Sequence, residues 1–216
     1  MNLHLPIASL LVGVFVSPAV AGKISFTEAK VADVPQKLAP RGKKIERVVK
    51  FTDKNGANYV VFSSTTSEKQ APDDDQAVRT TQLFLDHWAV AGGDEPRSLL
   101  PARDAIDCYM GAMLATFVPK AFTVTDIDGD GLAEITYGYQ LACRSDVSAA
   151  SYKLLMVEDG KKHILRGFTK IAHDNPPEGG TYKADPDATK WEKGFLEHAV
   201  DVWKATVADL DDPTKG

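Results

Sequence analysis

The alternation of hydrophobic and polar positions predicts β-strands over most of the chain. Residues 45–51 and 58–62 flank an Asn55-Gly56 turn, and such a turn between two β-rich runs is typical of a hairpin. Residues 80–90 alternate more loosely and fit either a strand or a short helix. Residues 63–75 are polar and include three successive aspartates, which predicts a solvated loop.

Two further strand pairs follow in the second half of the chain. Residues 121–125 and 135–141 flank a tight acidic loop, and residues 152–157 and 163–171 flank the turn sequence 158–161. The second pair is therefore expected to form a hairpin.

The periodicity changes after residue 188, where apolar side chains recur at helical spacing. This predicts an amphipathic helix over 189–210, with Thr189 and Glu192 forming a capping box at its start. The fold class is mainly β (α+β): an antiparallel sheet or sandwich of hairpins closed by one C-terminal helix. A single domain over 45–216 is expected, preceded by an N-terminal extension over 22–44.

The first 21 residues have the pattern of an export signal. They contain no Asp, Glu, Lys or Arg, and their apolar run over 5–16 is too short to cross a bilayer. Ala19-Val20-Ala21 is the small-x-small pattern read by signal peptidase, so cleavage after Ala21 is expected. An uncleaved anchor or a buried N-terminal helix is the alternative. Export would place the protein in the periplasm or outside the cell, with no transmembrane segment left after cleavage.

Composition is that of a globular protein. Of the 216 residues, 44% are hydrophobic and 25% are charged, and the net charge is -5. A mildly acidic chain without a basic block is a poor ligand for phosphate backbones, so no nucleic-acid partner is expected.

The two cysteines, Cys108 and Cys143, predict a disulfide. An even pair in an oxidising compartment is typically bonded, and the export signal favours such a compartment. Two buried free thiols are the alternative. The spacing does not fit a CxxC redox motif, so a structural role is expected.

One segment, the loop 126–134, has the composition of a calcium site. Calcium takes six to eight oxygen ligands, and alternate residues of a tightly turned loop can point inward together. Gly131 allows the sharp turn. An acidic turn that binds nothing is the alternative. The expected ligands are four carboxylates and one backbone carbonyl: Asp126, Asp128, Asp130, Glu134 and, through its carbonyl, Leu132.

The loop resembles EF-hand calcium loops over its first six positions. It departs at position 12, where Tyr137 replaces the bidentate glutamate, and its flanks are strand-like. It is more similar to the DxDxDGxx(D/E) loops of integrin-type and FG-GAP propeller blades, although a single copy does not indicate a propeller. Asp107 or Asp146 is the expected source of an additional ligand.

A resemblance to a known family rests on six segments: 121–134, 143–148, 153–156, 165–167, 178–180 and 203–204. Through these segments the chain is similar to a family of exported bacterial proteins that carries a surface-polysaccharide-biosynthesis label and no established enzymatic activity. This resemblance implies a cell-envelope protein with a calcium loop and a cysteine pair.

No catalytic motif is present in the sequence. HExxH and GxSxG are absent, and Asp86 and His87 are adjacent in a predicted strand, so their side chains should point to opposite faces. We therefore expect a non-enzymatic binding or structural module, whose partner is a glycan or an envelope protein. The calcium loop and the disulfide are expected to stiffen the same region, 108–143. A carbohydrate hydrolase with paired carboxylates, or an inhibitor of another enzyme, is the alternative.

Overall fold

A computed structural model describes residues 22–70, 77–92, 95–109, 111–146, 148–171, 178–207 and 210. Two antiparallel sheets pack face to face, and one helix covers the outer face of the larger sheet. The mainly-β fold with a single C-terminal helix, predicted from the sequence, is confirmed. The predicted export signal lies outside the described residues.

The elements follow the chain in a nearly unbroken series of strands. The strands are β1 (Gly22–Lys23), β2 (Thr27–Glu28), β3 (Lys44–Asp53), β4 (Gly56–Gln70), β5 (Ala77–Val90), β6 (Arg97–Cys108), β7 (Ala112–Asp126), β8 (Glu134–Arg144), β9 (Ser151–Glu158), β10 (Lys161–Phe168), β11 (Lys170–Ile171), β12 (Glu178–Gly179) and β13 (Tyr182–Asp185). The helix is α1 (Phe195–Val207), and short 3-10 turns occur at Val31–Asp33 and Ala188–Lys190.

The strands form two large sheets, here called sheet I and sheet II, and one small sheet in which β11 pairs with β12. Sheet I has the order β1-β7-β8-β9-β10-β13, and sheet II has the order β2-β3-β4-β5-β6. Both are largely meanders in which consecutive strands pair. The predicted N-terminal extension is therefore part of the sandwich, because β1 pairs with β7 of sheet I and β2 with β3 of sheet II.

Apolar side chains from both sheets fill the space between them. Phe62 of sheet II meets Phe122 and Tyr137 of sheet I in edge-to-face contacts, with ring centroids 5.6 and 6.1 Å apart. A second core lies on the outer face of sheet I, where Trp203 of α1 packs on Tyr152 at 4.7 Å between centroids. The apolar stripe of the C-terminal segment thus packs the helix on the sheet.

One local prediction is wrong, one is confirmed, and one strand was not predicted. The polar segment starting at Ser63, expected to be a loop, is strand β4 as far as Gln70, because its backbone pairs with β5; residues 71–76 lie outside the described residues. Residues 80–90 belong to strand β5, as the strand interpretation predicted, which excludes the helical alternative. The long strand β6 was not predicted, since its sequence mixes charged, small and apolar residues without a regular alternation and contains Pro101.

The predicted start of the helix is wrong by about two turns. Asp187 caps a 3-10 turn by accepting a hydrogen bond from the Thr189 amide, and α1 begins only at Phe195. Glu192 does not complete a capping box; it contacts Lys161 and His163 of β10. Within the described residues, no helix is long and apolar enough to cross a membrane.

Candidate metal centre

The acidic loop connects β7 to β8 at one end of the sandwich, here called the loop end. Its aspartates Asp126, Asp128 and Asp130 are brought together, with one carboxylate oxygen of each within 4.8 Å of the others. Such a group has the spacing and the oxygen donors that a hard divalent cation requires.

Hydrogen bonds from the loop backbone set the positions of these carboxylates. The Gly131 amide donates to Asp126 Oδ1 (3.4 Å), the Asp130 amide to Asp128 Oδ1 (3.2 Å), and the Leu132 amide to Asp130 Oδ1 (2.7 Å). Gly131 has a φ of +87°, a left-handed conformation that favours glycine. The sharp turn predicted at this residue is therefore present.

Glu134 fastens the two ends of the loop together. Its side chain is fully buried and accepts the Ile127 amide at 3.0 Å on each oxygen and the Thr125 hydroxyl at 2.8 Å. Burial raises the pKa of this carboxyl, and the hydrogen bonds oppose that shift. Glu134 thus combines a structural role with a position beside the aspartates.

Glu158 is a further carboxylate at the site, and the sequence analysis missed it. Strands β8 and β9 pair Ile135 with Val157, which brings Glu158 beside Glu134. Asp128, Glu134 and Glu158 form a second group with carboxylate oxygens within 4.8 Å, and Asp128 belongs to both groups. The sequence offered one indication of this: Glu158 ends β9, and the neighbouring strand β8 begins with Glu134.

Burial and the neighbouring carboxylates determine the electrostatics of Glu158. Its Oε1 is buried and has no hydrogen-bond partner among the described residues. Burial, followed by the charges of Asp128, Asp130 and Glu134, raises the pKa of Glu158 to about 7. A bound cation would reverse this effect and keep the carboxylate ionised.

The loop is also attached to sheet II through the turn between β3 and β4. Asp53 Oδ2 accepts the Ala133 amide at 3.0 Å, and the Lys54 amide donates to the Gly131 carbonyl at 2.9 Å. Asp53 Oδ1 in turn accepts the Asn58 side-chain amide at 2.7 Å, and Asn58 Oδ1 lies 2.8 Å from His87 Nε2. Since Asn58 Oδ1 can only accept, the imidazole carries its proton on Nε2.

His87 and Asp86 do not form a catalytic pair. Asp86 binds Arg41 (2.6 Å between Nε and Oδ1), while His87 faces the core near Phe51. This agrees with the opposite orientation expected for neighbours in a strand. Burial lowers the pKa of His87 to about 3, so the imidazole is neutral at ordinary pH.

The predicted disulfide between Cys108 and Cys143 is confirmed. It joins β6 of sheet II to β8 of sheet I, and it lies at the opposite end of the sandwich from the acidic loop. The run of β8 from Glu134 to Cys143 spans about 30 Å at about 3.3 Å per residue. The expectation that the loop and the disulfide stiffen the same region is therefore wrong: each links the two sheets, one at each end.

Asp107 and Asp146 cannot supply the additional ligand, because both lie at this disulfide end. Asp107 precedes Cys108 and accepts the Thr80 hydroxyl, while Asp146 follows Cys143 and accepts the Ser148 amide. Glu158 occupies the place expected for them.

Comparison of the chain with protein-family models, with curated proteins and with solved structures found no match.

Proposed function

We propose that the protein is an exported, calcium-stabilised β-sandwich that acts as a binding or structural module of the cell envelope. The metal part of the proposal rests on one observation: two clusters of three acidic side chains lie side by side and share Asp128. Together they bring five acidic side chains to one end of the molecule.

Calcium suits this donor set better than other biological cations. All the side-chain donors are oxygens, which disfavours zinc and copper, and their number exceeds what magnesium needs beside its retained waters. Asp126, Asp128, Asp130 and Glu158 would hold the ion, with the Leu132 carbonyl and Glu134 as further donors. Four or five negative charges in one small region repel one another strongly unless a cation is bound.

The envelope location draws support from separate features. A disulfide is typical of oxidising compartments, and residues 1–21 have the composition of an export signal. The resemblance to exported proteins with a polysaccharide label adds a glycan or an envelope protein as the proposed partner class. A calcium affinity near the extracellular range, with a Kd of about 0.1–1 mM, would suit such a place.

Thermal unfolding of residues 22–216 in 10 mM calcium, and then in chelator, tests the metal site. At a Kd of about 0.1 mM, calcium stabilises the native state by about 2.7 kcal/mol. That corresponds to a rise in Tm of roughly 5–10 °C for a chain of this size. Magnesium at the same concentration should give a much smaller rise.

Variants at the site should separate metal binding from ordinary stability. Glu158→Gln and Asp128→Ala should each reduce the calcium-induced rise in Tm. Glu158→Gln should in addition raise the Tm in chelator, because it removes one charge from a repelling group. Glu68→Gln, at the far end of β4, is the matched control and should behave like the parent. Equal calcium responses in all four proteins would place any bound calcium elsewhere and end the proposal.

A further inference from the structure

A cleft of about 390 Å³ opens between the two sheets along one edge of the sandwich. Its walls come from β5 and β6 of sheet II and from β8, β9 and β10 of sheet I. The acidic loop lies outside this cleft, so the two features are separate.

The cleft is strongly basic. Its lining includes four cations, Arg103, Lys153, Lys162 and Arg166, against a single carboxylate, Asp104. Arg103 lies at the rim, because its strand partner Phe84 is on the opposite face from the core residues Leu83 and Leu85. This excess of positive charge occurs in a chain whose net charge is -5. A concave surface lined with one sign of charge concentrates ligands of the opposite sign.

The cations of sheet I occupy positions where a sandwich ordinarily has apolar residues. Lys153 shares its face of β9 with Leu155, which belongs to the core between the sheets; Lys162 and Arg166 flank the inward Ile164 on β10. Strand alternation therefore turns all three cations toward sheet II. Lys153 is held there by Asp104, whereas Lys162 and Arg166 are exposed at the open edge of the cleft.

The ion pairs made by these cations neutralise only part of the positive charge of the cleft. Asp104 binds Lys153 and accepts the Tyr139 hydroxyl at 2.7 Å, while Arg166 reaches Asp185 at 3.3 Å. Within the described part of the chain, Arg103 and Lys162 have no ion-pair partner.

Tyr137 adds a second, independent sign of a missing ligand. It lines the cleft, its side chain is 2% exposed, and its hydroxyl has no hydrogen-bond partner among the described residues. A buried hydroxyl without a partner costs about 1–3 kcal/mol, so such groups usually meet a ligand or water. The rings of Tyr137 and Tyr139 stack at 6.5 Å between centroids and provide an aromatic wall.

We propose that this cleft binds a small organic anion, one or two rings in size, through its carboxylate or phosphate groups. Lys162 and Arg166 hold the charged groups, Tyr137 donates a hydrogen bond, and the aromatic wall contacts the body of the ligand. The volume lies within the range of small-molecule sites. Glycoside hydrolysis requires two acidic side chains, and Asp104, which is held by Lys153, is the single carboxylate among the lining residues. The proposal for this cleft is therefore binding, not hydrolysis.

Calorimetric titration in calcium-containing buffer tests this site with three named probes. Digalacturonate supplies carboxylates on sugar rings, glucose 6-phosphate supplies a phosphate, and the uncharged galactobiose is the control. At least one acidic probe should bind more than about 10-fold tighter than galactobiose and weaken as salt rises. The stronger acidic probe identifies the preferred group. Equal binding of all three probes, or no binding, overturns the proposal.

Variants then locate the binding. Lys162→Gln combined with Arg166→Gln should weaken binding of the acidic probe by at least about 10-fold, since it removes two cations that face the cleft. Tyr137→Phe should weaken it by about 3-fold to 10-fold through the lost hydrogen bond. The matched control, Lys190→Gln with Lys204→Gln, removes two charges on the helix side of sheet I and should leave binding unchanged. An equal loss in that control would show nonspecific attraction to total charge and reject the site.

The calcium response of the same proteins keeps this proposal distinct from the metal site. The Lys162/Arg166 double variant should retain the full calcium-induced rise in Tm. Loss of anion binding with an intact calcium response would show that the substitutions affect the cleft and not the metal site. Loss of both would mean that the double variant has disturbed the fold. In that case the binding measured for Tyr137→Phe decides the proposal.

Discussion

The two ends of the sandwich connect the same pair of sheets by different means. At the disulfide end, one covalent bond joins β6 to β8 across a sequence separation of 35 residues. At the loop end, Asp53 and Lys54 of sheet II hold the acidic loop of sheet I through hydrogen bonds. The disulfide acts chiefly by restricting the unfolded chain, whereas the loop end depends on groups that exist only in the native state. The stability contributed by the disulfide end therefore depends on redox conditions, and that contributed by the loop end depends on ions and pH.

The largest effect is expected at the covalent end. The double variant Cys108→Ser, Cys143→Ser should lose about 4 kcal/mol of unfolding free energy, because the unfolded chain gains the entropy of an open loop. Urea denaturation of the parent and variant measures this loss. The calcium-induced rise in Tm should stay the same, since the metal ligands lie at the other end. A variant that folds but no longer responds to calcium would show that the two ends are coupled.

The next effect concerns pH and belongs to the loop end. His87 has a native pKa of about 3, whereas the unfolded chain binds a proton near pH 6.5. A lowered histidine pKa gives stability that is fully present above the unfolded value and is lost as pH falls toward the native value. Between pH 6.5 and 4.5 this single group should cost about 2 kcal/mol of unfolding free energy.

The variant His87→Gln isolates this contribution, because glutamine can still donate to Asn58 and does not titrate. Urea denaturation at both pH values should show a smaller loss in the variant than in the parent, by about 2 kcal/mol. Carboxylates that titrate in the same range affect both proteins equally. An equal loss of unfolding free energy in both proteins would mean that His87 is protonated in the native state.

The smallest effects compare single hydrogen bonds at the two ends. Asp53→Asn should cost about 1.5 kcal/mol, because both carboxylate oxygens of Asp53 accept hydrogen bonds and asparagine keeps only one acceptor. Either the Ala133 amide or the Asn58 side-chain amide therefore loses its acceptor in a partly buried place. Thr80→Val removes the hydrogen bond from an exposed hydroxyl to Asp107 and should cost less than about 0.5 kcal/mol. Calcium titration should show weaker binding for Asp53→Asn alone. Similar losses in both variants would contradict the difference between the ends.

Local chemistry explains what could be predicted from the sequence. The hairpin at Asn55-Gly56 and the loop at Asp126 follow from short-range turn preferences and from the spacing of oxygen donors. The disulfide follows from the number of cysteines. Each of these predictions needs only neighbouring residues or a simple count.

The remaining features depend on pairing between distant strands. Glu158 joins the metal site because β9 pairs with β8 in one particular register, and a shift of one residue would turn its side chain to the other face. The basic cleft similarly joins Asp104 of β6 to Lys162 of β10, which lie in different sheets. The wrong helix start has a related cause, since Glu192 makes tertiary contacts with Lys161 and His163 instead of capping the helix.

The position of Glu158 also has a consequence for the order of assembly. The loop ligands leave the synthesis machinery first, but Glu158 reaches them only after β9 has been made and has joined β8. A nascent chain that has formed only the β7–β8 hairpin holds an incomplete ligand set and should bind the ion weakly. The ion would therefore stabilise a partly assembled sandwich only after β7, β8 and β9 have paired. It would then favour the correct register of β9 at a late step of folding.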